Sequence, residues 1–287
     1  MVTPLDRSRL EATLTHDVSR RGFLRLAAAA SVAPSIATAA GTAPDGRQPA
    51  RPESKTVCVL GASGTVGNGI VRELLSAGHR VVAVSRSSEK LEQIRARYAS
   101  TGRVNVLVGD VSSDDLAYQL RDRVVASFGA PDAVVAPLSA HSADVKLRIL
   151  DTPTQQLKDV FDTNFFTHVT AARALLPALT PGGTYLGING GLASFVVPGM
   201  GHISMTQSAL GTLYTTLAQE AKDEHSRNAA RVHVLSLFGL VANEENRARI
   251  DEGWLTDQQV GRRVVEIIGQ PDAFPGVVLA IKAKRYA

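Results

Sequence analysis

Two groups of residues in this chain have the types and spacing to do chemistry. The first is Gly61-x-x-Gly64-x-x-Gly67 in "TVCVLGASGTVGNGIVRELL". Glycines at this spacing between a strand and a helix suit a dinucleotide. Gly61 permits the tight turn, Gly64 lets a pyrophosphate approach the backbone, and Gly67 lets the helix pack close. Ser63 and Thr65 lie in the same turn, and the helix start offers free N–H groups to phosphates. A glycine turn that serves only packing is the plainer alternative. The second group lies in "INGGLASFVVPGMGHISMTQSAL", residues 188–210. Here His202, with an ordinary pKa near ~6.5, is a capable acid or base. Asn189 precedes it by thirteen residues.

These residues need elements to hold them, and the chain supplies a regular alternation. "KTVCVL", "RVVAVS", "RVNVLVGD" and "DAVVA" read as strands, with helical spacing between them. Strands alternating with helices of this length give βαβ units. The expected fold is α/β: one domain over residues 55–287, with a doubly wound parallel sheet and helices on both faces. After the second strand a dinucleotide site for NAD(H) would carry an acid on the ribose 2′-OH. The run "VVAVSRSSEK" has no acid before Glu89 and has Arg86 instead. A guanidinium there neutralises a 2′-phosphate, so NADP(H) is favoured over NAD(H). Ser85 and Ser87 stand beside it to add hydrogen bonds. A solvent-facing loop arginine is the other reading of Arg86.

The stretch "TVCVLGASGTVGNGIVRELLSAGHRVVAVSRSSEKL" resembles the opening of the short-chain dehydrogenases/reductases. The likeness continues through "GDVSS" and "VFDTNFFTHVTAARALLPAL" into the 188–210 stretch. It implies a Rossmann-like fold. It also implies that Asp110 and Val111 flank an adenine ring and that Asn164 is the family's mid-helix asparagine. An independent reading of Asn164 is structural, its amide bridging backbone groups in a bent helix. The sequence departs from the family in four places, one of them the Pro-Gly after the sixth strand, which is blurred here into "LFGL". The glycine spacing is nearer the extended and atypical branches, and Ala136-Pro137-Leu138-Ser139 replaces Asn-Asn-Ala-Gly. Aligning "QSAL" with the family's Lys-x-Ala-Leu puts Gly190, Ile203 and Gln207 where the catalytic Ser, Tyr and Lys belong. A one-residue slip instead puts Asn189 and His202 at the Ser and Tyr places. The resemblance thus leaves Asn164, His202 and Asn189 as the catalytic candidates.

Composition narrows the partners. Hydrophobic residues make up 44% and charged residues 20%, an ordinary globular balance. The formal charge is +4, and residues 1–39 supply half of it with five Arg against three acids. The body is nearly neutral with no Lys/Arg cluster, so nucleic acid is not an expected partner. The lone Cys58 excludes an internal disulfide and reads as a core residue. The histidines have no metal spacing, and no metal is expected. Ser139 and His141 follow the fourth strand, at the ligand end of such a sheet, with Ser194 and Ser204 weaker candidates. The apolar residues Phe195, Val196, Met200 and Met205, with Phe238 and Trp254, suit either core packing or a pocket for a small apolar substrate. A homo-oligomer is compatible with all of this.

"SRRGFLRLAAAASVAPSIATAAG" pairs Arg20 and Arg21 before a mildly apolar run that ends in Ala37-Thr38-Ala39. This resembles a twin-arginine export signal over residues 1–39, followed by a flexible linker over 40–54. The expectation is export to the periplasm or beyond, with no stable membrane anchor after processing. Three functions remain open: an NADP(H)-dependent oxidoreductase with unusual catalytic groups, a non-redox enzyme such as a dehydratase, isomerase or cyclase, or a cofactor-binding protein without turnover.

Overall fold

Val57 and Val59 of strand β1 (Thr56–Leu60) point into one hydrophobic core, and Cys58 and Leu60 into another. A strand buried on both faces lies inside a sheet with helices on each side. The computed structural model describes residues 53–139, 148–222, 228–243, 248 and 250–287. The expected leader, most of the expected linker and His141 lie outside the described residues. The residues from Arg51 onward form one unit.

After β1 the chain alternates as its pattern predicts. Helix α1 (Thr65–Ser76) leads to β2 (Arg80–Ser85), α2 (Ser88–Tyr98), β3 (Val104–Val108), α3 (Asp114–Phe128) and β4 (Ala133–Ala136). Then come α4 (Thr154–Phe161), α5 (Thr167–Leu175), β5 (Thr184–Gly190), α6 (Gly201–Glu220) and β6 (Arg231–Phe238). Two short strands, β7 (Leu240–Ala242) and β8 (Trp254–Thr256), pair in parallel, and α7 (Asp257–Gly269) and β9 (Val278–Lys282) follow.

The main sheet is parallel, with order β3-β2-β1-β4-β5-β6-β9. The order reverses between β1 and β4, so the chain leaves these two strands in opposite directions and opens a crevice at their carboxyl ends. On one face Ile70 and Leu74 of α1 and Val260 and Val264 of α7 pack against β1 and β2. On the other, Leu120 of α3, Leu175 of α5 and Leu210 and Tyr214 of α6 cover Cys58, Val82 and Val134. Burial pushes the Cys58 thiol up to about 12, so it is inert core, as its apolar run predicts.

Candidate active site

The crevice holds a cavity of ≈ 310 Å³. Each strand on the β1 side contributes its carboxyl end: Gly61, Ser63 and Gly64 after β1, Arg86 after β2, and Asp110 and Val111 after β3. Pro137, Leu138 and Ser139 close it from β4, and Thr163 and Thr167 from the helix that follows. Six of the eight cofactor candidates read from the sequence thus converge on one space. Thr65 lines the adjoining cavity instead, and Gly67 is buried beneath the turn.

The turn fits a dinucleotide for steric reasons. Gly61 has φ +66°, and a Cβ on it would lie 3.0 Å from the Pro137 carbonyl oxygen. A Cβ on Gly67 would sit 2.2 Å from the Gly61 carbonyl oxygen. These glycines let helix, turn and β4 approach closely, leaving backbone rather than side chain at the cavity edge. Ser63 Oγ and Ser85 Oγ share a hydrogen bond of 2.7 Å, and Ser85 Oγ also accepts the Ser87 N–H. The loop carrying Arg86 is thereby tied to the glycine turn. Arg86 itself is exposed at the mouth. Asp110 Oδ1 accepts the Ser112 N–H at 2.9 Å, a local turn that fixes the carboxylate beside the cavity.

Asn164 lies in a π-helical turn, Asp162–Phe166, between α4 and α5. Its Nδ2 donates to the Val160 carbonyl at 3.0 Å, and its Oδ1 accepts from Ser139 Oγ at 3.1 Å. The amide thus ties the helix backbone at Val160 to the Ser139 side chain after β4. A π-turn of this kind marks functional helices often enough to be noted.

The chemistry end is different. Gln207 Oε1 accepts the Gly190 N–H at 2.5 Å. Residues 190 and 207 therefore lie side by side at the end of β5. Ile203 is 7% exposed and offers no proton. Asn189 is buried with both ends of its amide taken: Oδ1 accepts from Ser236 Oγ at 2.7 Å, and Nδ2 donates to the Gln207 carbonyl at 3.3 Å. His202 has no exposed surface, and burial lowers its pKa. Neither lines the crevice cavity. Both side chains, the catalytic candidates of the slipped alignment, are thus buried, Asn189 at the end of β5 and His202 in the first turn of α6. Phe195, Val196 and Met205 are exposed, and Phe195 stacks on Tyr286, with ring centroids 6.2 Å apart. They do not line the described cavities.

One constellation escaped the sequence reading. His168 of α5 is fully buried between the Leu138 carbonyl and the Tyr214 hydroxyl, each 2.9 Å away. A carbonyl only accepts, so Nε2 carries the proton and Nδ1 accepts from Tyr214. Burial lowers the His168 pKa to about 4, and the ring is neutral at physiological pH. It pins Leu138, a cavity wall residue. Thr163 and Thr167 were also missed; their i, i+4 spacing beside Asn164 was the available signal. Among the described residues no group of three His, Cys, Asp or Glu is placed to hold a metal.

Comparison with known proteins agrees with this geometry. The family model described as enoyl-(acyl carrier protein) reductase matches residues 61–277. An NADPH-dependent pterin aldehyde reductase of Arabidopsis thaliana is 27% identical over 128 residues, 45% of this chain and 52% of its own length. A 1-deoxy-11-beta-hydroxypentalenate dehydrogenase of Streptomyces avermitilis is 27% identical over 186 residues, 64% of this chain and 67% of its own. The chain spans about half to two thirds of the length of such curated relatives. Among solved structures, a short-chain dehydrogenase/reductase of Serratia marcescens superposes with TM-score 0.70 at 20% identity, covering 82% of this chain and all of that one. An NADPH-bound short-chain oxidoreductase of Pseudomonas aeruginosa, described as containing an atypical catalytic center, gives TM-score 0.69 at 21% identity, covering 81% and 98%. These structural likenesses establish the fold, and the family match rests on the sequence. Parallel strand order, glycine turn, switch-point cavity and family match together place the chain in the short-chain dehydrogenase/reductase family.

Proposed function

We propose that this protein is an NADP(H)-dependent oxidoreductase that reduces an activated C=C bond in a small apolar molecule. The observation that carries the reading is a contrast: the cavity has its glycine turn, Arg86 and Asp110, while the end of β5 and the helix α6 that faces it carry Gly190, Ile203 and Gln207. Gly61, Ser63 and Gly64 would hold the pyrophosphate, Asp110 and Val111 the adenine side, and Arg86 the 2′-phosphate. NADP(H), when bound, supplies a hydride. The chain must then account for the proton. Reducing a ketone needs a proton on oxygen as the hydride arrives, and a general acid contributes about 10²–10⁴-fold to such a step. Ile203 and the amide of Gln207 have no exchangeable proton of suitable pKa, and we assign none to the buried His202. Hydride addition to an activated alkene leaves a stabilised carbanion that takes its proton from water, so it tolerates this site. The family model's description and the NADPH-dependent relative support the reading.

Calorimetric titration tests the cofactor assignment. NADPH should bind more tightly than NADH, and Arg86→Ala should weaken NADPH at least tenfold while leaving NADH unchanged. Equal affinity for the two in the wild type removes the role given to Arg86, and binding of neither removes the nucleotide reading.

We further infer export of the folded, cofactor-loaded protein through the twin-arginine route, on the pair Arg20–Arg21 and the Ala-rich run after it. Replacing both arginines with Lys should abolish export. Transport of that variant at the wild-type level contradicts the inference.

A further inference from the structure

One wall of the crevice cavity lies beyond the sheet ladder. Strand β4 pairs with β1 as far as Val135 and with β5 as far as Ala136. Pro137, Leu138 and Ser139 run on past both ladders and line the cavity. Contacts from other elements hold them. A Cβ on Gly61 would lie 3.0 Å from the Pro137 carbonyl oxygen and 3.8 Å from Leu138 Cδ2, so this wall abuts the glycine turn. Ser139 Oγ donates to Asn164 Oδ1 at 3.1 Å. The Leu138 carbonyl accepts from His168 Nε2 at 2.9 Å.

The last contact reaches deepest into the protein. His168 has no exposed surface and does not line the cavity. Its ring is neutral at physiological pH, because burial lowers its pKa to about 4, so it carries a single proton. Tyr214 Oη donates to Nδ1 at 2.9 Å, which leaves that proton on Nε2, facing Leu138. Tyr214 is locked in turn. A Cβ on Gly187 would overlap its ring, so the ring fills the space that a side chain at 187 would take. A line of contacts thus runs from the middle of β5, through α6 and α5, to one carbonyl of the cavity wall.

That carbonyl matters to an anion. Without His168 it loses a buried donor, and a buried acceptor left without one is costly. The Leu138–Ser139 peptide is a rigid plane, but the bonds on either side of it rotate, and no ladder restrains them. Turning the peptide would bring the oxygen to the crevice, where water can reach it. A carbonyl oxygen carries partial negative charge. Beside the glycine turn it would oppose the oxygens of a pyrophosphate.

We propose that His168 is a positioning residue for the dinucleotide: by holding the Leu138 carbonyl, it keeps that oxygen out of the cavity and the wall fitted to the pyrophosphate. This rests on the cofactor reading above. His168 touches neither cofactor nor substrate and acts through Leu138.

Three variants separate the two bonds of the ring. The short amide of His168→Asn can still accept from Tyr214 but falls short of the Leu138 carbonyl. The longer amide of His168→Gln reaches both. Tyr214→Phe removes the other bond alone. The full chain and each variant are titrated calorimetrically with NADPH and with NADH, well below their melting temperatures. His168→Asn should weaken both dinucleotides by the same factor, about tenfold or more, since both carry the pyrophosphate. Arg86→Ala, by contrast, acts on NADPH alone. His168→Gln should restore binding to within about threefold of wild type, and Tyr214→Phe should stay within the same range although its melting temperature falls. If His168→Asn does not fold, His168→Leu takes its place under the same expectation. Wild-type affinity in His168→Asn overturns the proposal. So does a loss in Tyr214→Phe as large as that in His168→Asn, because affinity would then simply follow stability. A wild type that binds neither dinucleotide removes the cofactor reading itself, and this proposal with it.

Discussion

Gln207 of α6 turns its side-chain amide onto the end of β5 and accepts the Gly190 N–H at 2.5 Å. A planar amide held this way has its oxygen fixed against the strand, since turning it over would set donor against donor. A side chain built on Gly190 would meet Gln207 only at ordinary contact, 3.7 Å from Oε1. Position 190 thus has room for a side chain without strain, and the group that faces it from α6 is a neutral amide.

That geometry allows a gain-of-function experiment. Gly190→Ser, Ile203→Tyr and Gln207→Lys together should fold and give weak oxidation of secondary alcohols with NADP+, measured as NADPH formation. The wild type should show none. If the triple variant binds NADP(H) and stays inactive, the crevice is not arranged for hydride transfer, and a non-redox or binding role takes precedence.

The two inner glycines of the turn should differ sharply. At Gly67 a methyl group would lie 2.2 Å from the Gly61 carbonyl oxygen and 2.9 Å from the Ala62 Cα, both backbone. Gly67→Ala should cost about 2–3 kcal/mol or more, since neither neighbour can rotate away. At Gly64 the nearest atom is 3.5 Å away, and Gly64→Ala should cost no more than about 1 kcal/mol while weakening cofactor binding at the cavity edge. Urea denaturation of the two variants checks the order, and equal stabilities contradict this account of the turn.

Much of this architecture was legible in the sequence because it is local. The second strand is Arg80–Ser85, as "RVVAVS" reads, and Gly61, Arg86 and Asp110 converge because each follows a strand of one parallel sheet. What the sequence did not disclose depends on contacts between distant segments. The hydrogen bond between the Gly190 N–H and the Gln207 side chain depends on which side of β5 faces α6. His168 looked like any helical histidine until the fold brought Leu138 and Tyr214 to its two nitrogens.

His168 makes stability depend on pH. Its folded pKa is about 4 because burial penalises the charged ring, while an unfolded imidazole takes up its proton near ~6.5. The contribution is full above the unfolded value and is lost as pH falls from there toward the folded one. The loss from this residue is on the order of 3 kcal/mol. His79, His202 and His233 are shifted the same way by burial and add to it. Urea midpoints should fall steadily over this range, and His168→Gln should flatten part of the slope. A wild-type midpoint that does not change with pH across this window contradicts the assignment.

His202 should be dispensable for turnover. Loss of a general acid would slow the reaction about 10²–10⁴-fold, whereas a buried, neutral packing residue should change the rate by less than about threefold. His202→Gln, compared with wild type across pH, separates the two. A large rate loss with a displaced pH profile would return His202 to the chemistry.

The most direct measurement is NADPH consumption on adding an activated alkene. Purified protein is mixed with NADPH and a panel of apolar enones and quinones, following reduced nicotinamide by absorbance and product by mass. The account predicts catalytic loss of NADPH with at least one enone, one saturated product formed per NADPH, and no oxidation of simple secondary alcohols by NADP+. NADPH that binds but is consumed by no member of the panel, or ready oxidation of a secondary alcohol by the wild type, contradicts it.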